Sequence, residues 1–166
     1  MSTLLKSSFK FIITTVIICG VMALDQYTKT IVLDSLLLKQ NPFIKVTDFF
    51  NFTLVWNTGI SFGLFNTGIY SNHIFLSLAT IVTLIMTYLL VFAHSKVSQI
   101  SYSLIIGGAL GNIIDRLYNG AVLDFIELHV SNYYWPAFNV ADSSICIGAF
   151  LLVFDMIVNE LKIKTI

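Results

Sequence analysis

A helical membrane protein with a small β element outside the bilayer is the fold class this sequence predicts, and three observations predict it. The 166 residues are 57% hydrophobic and only 11% charged, with a mean hydropathy of +0.86, whereas a soluble domain carries about 25% charged residues. The apolar residues fall in four long runs, and a bilayer asks for about 20 such residues per span. Polar and acidic residues gather instead in the window Gly107 to Ile147. Charge beside hydrocarbon is unfavourable and marks function by default. Net charge is zero and the basic residues are scattered, so no nucleic-acid footprint is present. Cys19 and Cys146 lie in apolar runs without ligand-like spacing and read as small buried hydrophobes.

The whole chain, 1–166, reads as one integral-membrane domain, and its elements follow in order. The first transmembrane helix covers about 9–28. It resembles a secretory signal peptide, with Lys6 and Lys10 ahead of the run Phe11–Leu24, but lacks an A-x-A cleavage site and is retained. It reaches spanning length only if Asp25-Gln-Tyr-Thr-Lys29 continues the helix. Asp25 and Lys29 then share one face, either as a solvated ion pair at the membrane boundary or as something more. From about 40 to 68, Pro42, Gly59, Gly63 and Gly68 punctuate aromatic and β-branched runs such as Phe43–Val46 and Phe52–Trp56. These read as strands lying at the membrane surface, since an open sheet edge cannot face lipid.

The second span, about 73–93, is apolar apart from Ser and Thr, with His73 and His94 as boundary residues. The third, about 99–117, returns antiparallel after a short turn. Gly107 and Gly111 allow close helix approach, and Gly108, Asn112 and Arg116 form a neighbouring stripe that points into the bundle. The fourth covers about 141–159, with Asp155 near its far end and expected to snorkel. Lys6, Lys10, Lys96, Lys162 and Lys164 share one side. By the positive-inside rule that side is cytoplasmic, with both termini. The connections Asp25–Ser71 and Tyr118–Phe138 are then extracytoplasmic.

Three acids at that outer face compete for a role. Asp115, beside Arg116, is expected to hold the arginine or satisfy the helix end. Asp124 lies in the extended apolar run Ala121–Ile126, which fixes a carboxylate, though an exposed loop acid has the same signature. Asp142 follows Asn139 by three residues, a spacing that also serves helix capping. Two carboxylates within a few ångströms share a proton, so that one acts as base toward water and the other as acid. Rival chemistries use neighbouring residues. Glu127 and His129 with Asp124 form a weak metal-ligand set. Ser143 and Ser144 lack a G-x-S-x-G elbow. A transporter or ion-conducting protein using Asp124, Asp142 and Arg116 would place such groups at the midplane rather than the rim.

Five segments add specificity: Asp25-Gln-Tyr-Thr-Lys29; Asn57-Thr-Gly59 with Phe62-Gly63; Gly107 to Arg116; Val122-Leu-Asp-Phe125; and Phe138-Asn-Val-Ala-Asp-Ser143. In this order they resemble the bacterial lipoprotein signal peptidases, the signal peptidase II family of membrane aspartic proteases. The departures are Ser61, where many relatives carry Ala, and Leu123, where Val is common. The resemblance implies a four-transmembrane-helix bundle with an extracytoplasmic β-cradle and a short extracytoplasmic helix. It implies cleavage of diacylglyceryl-modified prolipoproteins just before the lipidated cysteine, in the bacterial cytoplasmic (inner) membrane. Asp124 and Asp142 match the catalytic dyad. Asn57, Gly59, Gly108, Asn112, Arg116 and Asn139 match polar or close-packed positions around the site, and Asp25 and Lys29 a supporting motif. Membrane lipid is the expected surrounding and a monomer the expected state. The dyad chemistry needs no metal and no cofactor.

Overall fold

Four long helices account for most of the chain: α1 (Thr3–Asp34), α2 (Ile69–Phe92), α3 (Lys96–Asn119) and α4 (Val140–Lys164). The computed structural model describes residues 3–35, 42–59 and 69–164. Each helix holds a stretch long and apolar enough to cross a bilayer: Phe9–Asp34, Ser71–Phe92, Lys96–Asn119 and Val140–Glu160. The 24 residues of α3 extend about 36 Å, enough for a hydrocarbon layer of ~30 Å. The segment Asp25–Lys29 continues α1, which runs on to Asp34. Large apolar side chains on the outer faces of α2 and α4, such as Ile74, Leu84, Phe150 and Phe154, are exposed; lipid covers such a surface without the penalty water imposes.

Helix α3 touches all three other helices. Its glycines set the spacing. A Cβ on Gly107 would lie 2.9 Å from the Val21 Cβ on α1, and one on Gly108 would fall onto the Ala141 carbonyl oxygen of α4. At one end of the bundle, side chains close the helix termini. The Lys10 Nζ donates to the Val91 and Ala93 carbonyls at the end of α2 (3.0 and 2.9 Å), and the Ser95 hydroxyl accepts from the Ser98 N–H as N-cap of α3. Asp155 departs from the snorkelling expectation. It is 9% exposed and accepts from the hydroxyls of Ser95 (2.6 Å) and Ser98 (2.5 Å), because the α2–α3 turn supplies donors closer than water does.

The opposite end carries an antiparallel sheet of order β1-β2-β3-β4. Strands β1 (Phe43–Lys45) and β2 (Phe50–Asn57) come from the predicted 40–68 region; 40, 41 and 60–68 of that region, with Ser61, Phe62, Gly63 and Gly68, lie outside the described residues. The second long connection adds β3 (Val122–Val130) and β4 (Tyr133–Tyr134). Gly120, at φ 73°, ends α3 in the left-handed conformation that glycine adopts without penalty, so the chain reverses directly into β3. The short extracytoplasmic helix does not occur among the described residues.

Candidate active site

Helix α4 begins with a reciprocal cap. The Asn139 Oδ1 accepts from the Asp142 N–H (2.8 Å), and the Asp142 Oδ2 accepts from the Asn139 N–H (3.2 Å), the capping-box arrangement that satisfies two orphan donors at once. Capping and chemistry are therefore not alternatives for Asp142. The cap fixes one carboxylate oxygen, and Oδ1 takes the Asn112 side-chain amide at 2.8 Å.

Asp124 reaches the same place from the sheet. Residues Trp135 to Phe138 run back along β3, with Trp135 N–H donating to Leu128 O (2.8 Å) and Phe138 pairing with Ile126 (2.9 and 3.0 Å). This return delivers Asn139 beside Asp124, whose Oδ1 accepts from the Asn139 Nδ2 at 2.7 Å. The same amide group lies 3.2 Å from Asn112 Oδ1 and 3.3 Å from Leu123 O. Asn139, 0% exposed, thus links the two acids, capping Asp142 with its oxygen and binding Asp124 with its nitrogen. On the other side, the Asn57 Nδ2 donates to Asp124 Oδ2 at 3.0 Å. Asp124 is 2% exposed, and this burial, reinforced by the Asp142 charge, lifts its pKa from 3.8 to about 7 against the amide hydrogen bonds and the Lys29 charge.

A β-bulge makes the Asn57 contact possible. The β2–β3 register pairs Phe52 with Ile126 but Val55 with Asp124, so one extra residue sits on β2 between them. Side chains alternate faces along a strand, so the one-residue shift moves Asn57 onto the face of Asp124. Asn57 also accepts from the Gly59 N–H (3.0 Å), and the Gly59 carbonyl accepts from the Arg116 Nη2 (3.0 Å). The Arg116 guanidinium lies 5.5 Å from the Phe75 ring centre, and its Nη1 is buried without a hydrogen-bond partner.

Behind these groups stands a buried ion cluster. The Lys29 Nζ contacts Asp25 Oδ2 (2.7 Å), Asp115 Oδ2 (2.9 Å) and Asn112 Oδ1 (3.1 Å). Asp25, 0% exposed, also accepts from the Ala141 N–H on the first turn of α4 (2.9 Å). Asp25 and Lys29 are therefore no solvated surface pair. Asp115 differs from its expected role as well: it holds Lys29, Gln26 and the Leu123 N–H (3.1 Å) rather than Arg116, tying the start of β3 to α3. Gly108 touches none of the acids; it lets α4 approach so closely that Asn112 reaches Asp142.

Of the metal-ligand set, Glu127 accepts from Asn51 (3.0 Å) and His129 stacks on Tyr134. No group of three His, Cys, Asp or Glu side chains converges in a ligand arrangement among the described residues. An open apolar groove of about 490 Å³, bordered by Trp135, Phe138, Ile145 and Ile147, has Asp142 in its wall but not Asp124.

Residues 17–158 match the family model described as Signal peptidase (SPase) II. The chain belongs to the signal peptidase II family. The lipoprotein signal peptidase of Alteromonas mediterranea is 44% identical over 82% of this chain and 75% of its own length. That of Rickettsia conorii is 45% identical over 89% and 71%. The fold is similar to a bacterial membrane enzyme solved by the in meso method at 2.3 Å, with a TM-score of 0.76 and 29% identity over 89% of this chain and 88% of that one. A second such structure, at 1.9 Å, gives 0.72 and 31% over 86% and 91%. Membership in signal peptidase II makes the chain an aspartic peptidase embedded in a membrane and disfavours the transporter reading.

Two participants in this side-chain network of the signal peptidase II chain are not marked as such by the sequence. Gln26 bridges Asp25, Asp115 and the Gly111 carbonyl, and Gly111 makes room for Asp25, since a Cβ there would lie 2.7 Å from its Oδ2. The Gly111 signal was present in the small-residue spacing with Gly107. Nothing local marks Gln26.

Proposed function

We propose that Asp124 and Asp142 are the catalytic pair of this peptidase and that its substrates are diacylglyceryl-modified prolipoproteins, cut just before the lipidated cysteine. The observation that carries the assignment is the pair of carboxylates joined through Asn139, one on β3 and one on the first turn of α4. Asp124, with a pKa of about 7, holds the shared proton, and Asp142, in the wall of the open groove, is the base. Asp142 takes a proton from water as the water oxygen attacks the scissile carbonyl carbon, while Asp124 protonates the carbonyl oxygen. Collapse of the resulting diol breaks the C–N bond as the proton on Asp142 passes to the leaving amine and a diol hydroxyl returns a proton to Asp124, restoring the pair. Arg116, held by Gly59 and Phe75, keeps Nη1 available to a substrate carbonyl.

The enzyme works as a monomer in the bacterial cytoplasmic (inner) membrane, with both termini cytoplasmic and the dyad on the extracytoplasmic face. The lysines near the helix ends support this orientation. In a gel-shift assay of a lipidated precursor in detergent, Asp124→Asn and Asp142→Asn each lower the cleavage rate by about 10²–10⁴-fold. Wild-type cleavage by either variant overturns the assignment. Activity persists in EDTA; its loss there, with recovery on adding zinc, would instead favour a metal.

A further inference from the structure

The turn between β3 and β4 carries a surface the peptidase chemistry does not use. Val130 is 76% exposed, Tyr133 85%, Tyr134 58% and Trp135 63%. From Leu128 through Ala141 the chain has no Asp, Glu, Lys or Arg. With Phe49, these side chains border an open apolar cleft of about 450 Å³. The hairpin that presents them is braced: His129 pairs with Tyr134 and their rings stack 5.0 Å apart, and the Trp135 N–H is held by Leu128 O.

We propose that this hairpin, Leu128 to Trp135, is an interfacial anchor seated in the headgroup–acyl boundary of the bilayer that α4 crosses. Continuity identifies the occupant as lipid. Trp135 borders both the hairpin cleft and the groove that runs to Ile147 on α4, and beyond Ile147 the exposed side chains of Phe150, Val153 and Phe154 face the hydrocarbon. Only four residues separate Trp135 from the first residue of α4, Val140. The composition fits that depth: tyrosine and tryptophan pair an apolar ring with a polar tip and concentrate where acyl chains meet headgroups. The anchor thereby fixes the height of β3, and of the carboxylate on it, relative to the membrane. The proposal depends on membrane integration and not on the roles given to Asp124 and Asp142.

The sequence provides its own reporter, because Trp56 and Trp135 are the two tryptophans. Trp56→Phe leaves Trp135 as the sole emitter, to be reconstituted in phosphatidylcholine–phosphatidylglycerol vesicles containing lipids brominated near the carbonyl end or near the methyl end of the acyl chain. The expected result is blue-shifted emission, protection from acrylamide, and greater loss of intensity with the shallow bromines than with the deep ones. Acrylamide quenching without bromolipid quenching means a hairpin in water and overturns the proposal. Protection from both quenchers means cover by protein, such as a second copy, and also overturns it, as does stronger quenching by deep bromines. Should Trp56→Phe fail to fold, the difference between the wild type and Trp135→Phe reads the same emission.

Discussion

Lys29 is the residue on which the interior of the site depends. The residue is 4% exposed, and its ammonium balances two buried carboxylates, Asp25 and Asp115. Removing one partner of such a cluster strands charge away from water, so Lys29→Met lowers stability by about 3–5 kcal/mol, read as a lower melting temperature in detergent. The i,i+4 spacing with Asp25 was visible in the sequence, but the partners that distinguish a buried cluster from a surface pair are not local. Asn112 is 83 positions from Lys29, and Ala141 is 116 from Asp25. Asp124 gives a second prediction at this scale. Its folded pKa of about 7 lies above the ordinary 3.8, so the fold binds a proton that the unfolded chain releases. Its contribution to stability is full below about pH 3.8 and is lost as pH rises through about 7. Melting temperatures therefore fall between about pH 4 and 7 in the wild type and fall less in Asp124→Asn.

Among the elements, α3 and β2 position the acids. Gly108 lets α4 pack where a methyl group would meet the Ala141 carbonyl. Gly108→Ala pushes the first turn of α4, with Asp142, away from Asn112, and is expected to cost ~1–3 kcal/mol of stability together with activity; unchanged cleavage and melting temperature would show that the approach is not needed. The stripe Gly108, Asn112, Arg116 was legible because helical periodicity is local. The strand run Phe52–Trp56 is legible for the same reason, through aromatic and β-branched residues set between turn formers. Its bulge was not, because an extra residue is defined only against a partner strand, here β3, some 70 positions away by the Asn57–Asp124 separation of 67. In the connection Tyr118–Phe138 the sequence marks only the run Ala121–Ile126 as extended, whereas the structure carries β3 to Val130 and adds β4 to complete the sheet.

For the whole molecule, polarity separates the two ends of the bundle. One end is closed by Lys10, Ser95, Ser98 and Asp155; the other carries the sheet and both proposed catalytic acids. Composition revealed the bundle because lipid demands long apolar runs, and lysine positions suggested its orientation. In the background lacking Cys19 and Cys146, Asp48→Cys, at a side chain 96% exposed between β1 and β2, reacts with a membrane-impermeant maleimide added to intact cells or spheroplasts, whereas His94→Cys reacts only after lysis. The reverse pattern inverts the topology.

The measurement that bears most directly on the central claim is a comparison of kcat/KM for Asp124→Asn, Asp142→Asn and the double variant, with each protein shown to melt cooperatively. Two carboxylates acting as one proton-sharing unit predict that the double variant is no slower than the worse single one, since the first replacement already disables the pair. Losses that multiply, or a single variant that retains wild-type activity, would contradict the account.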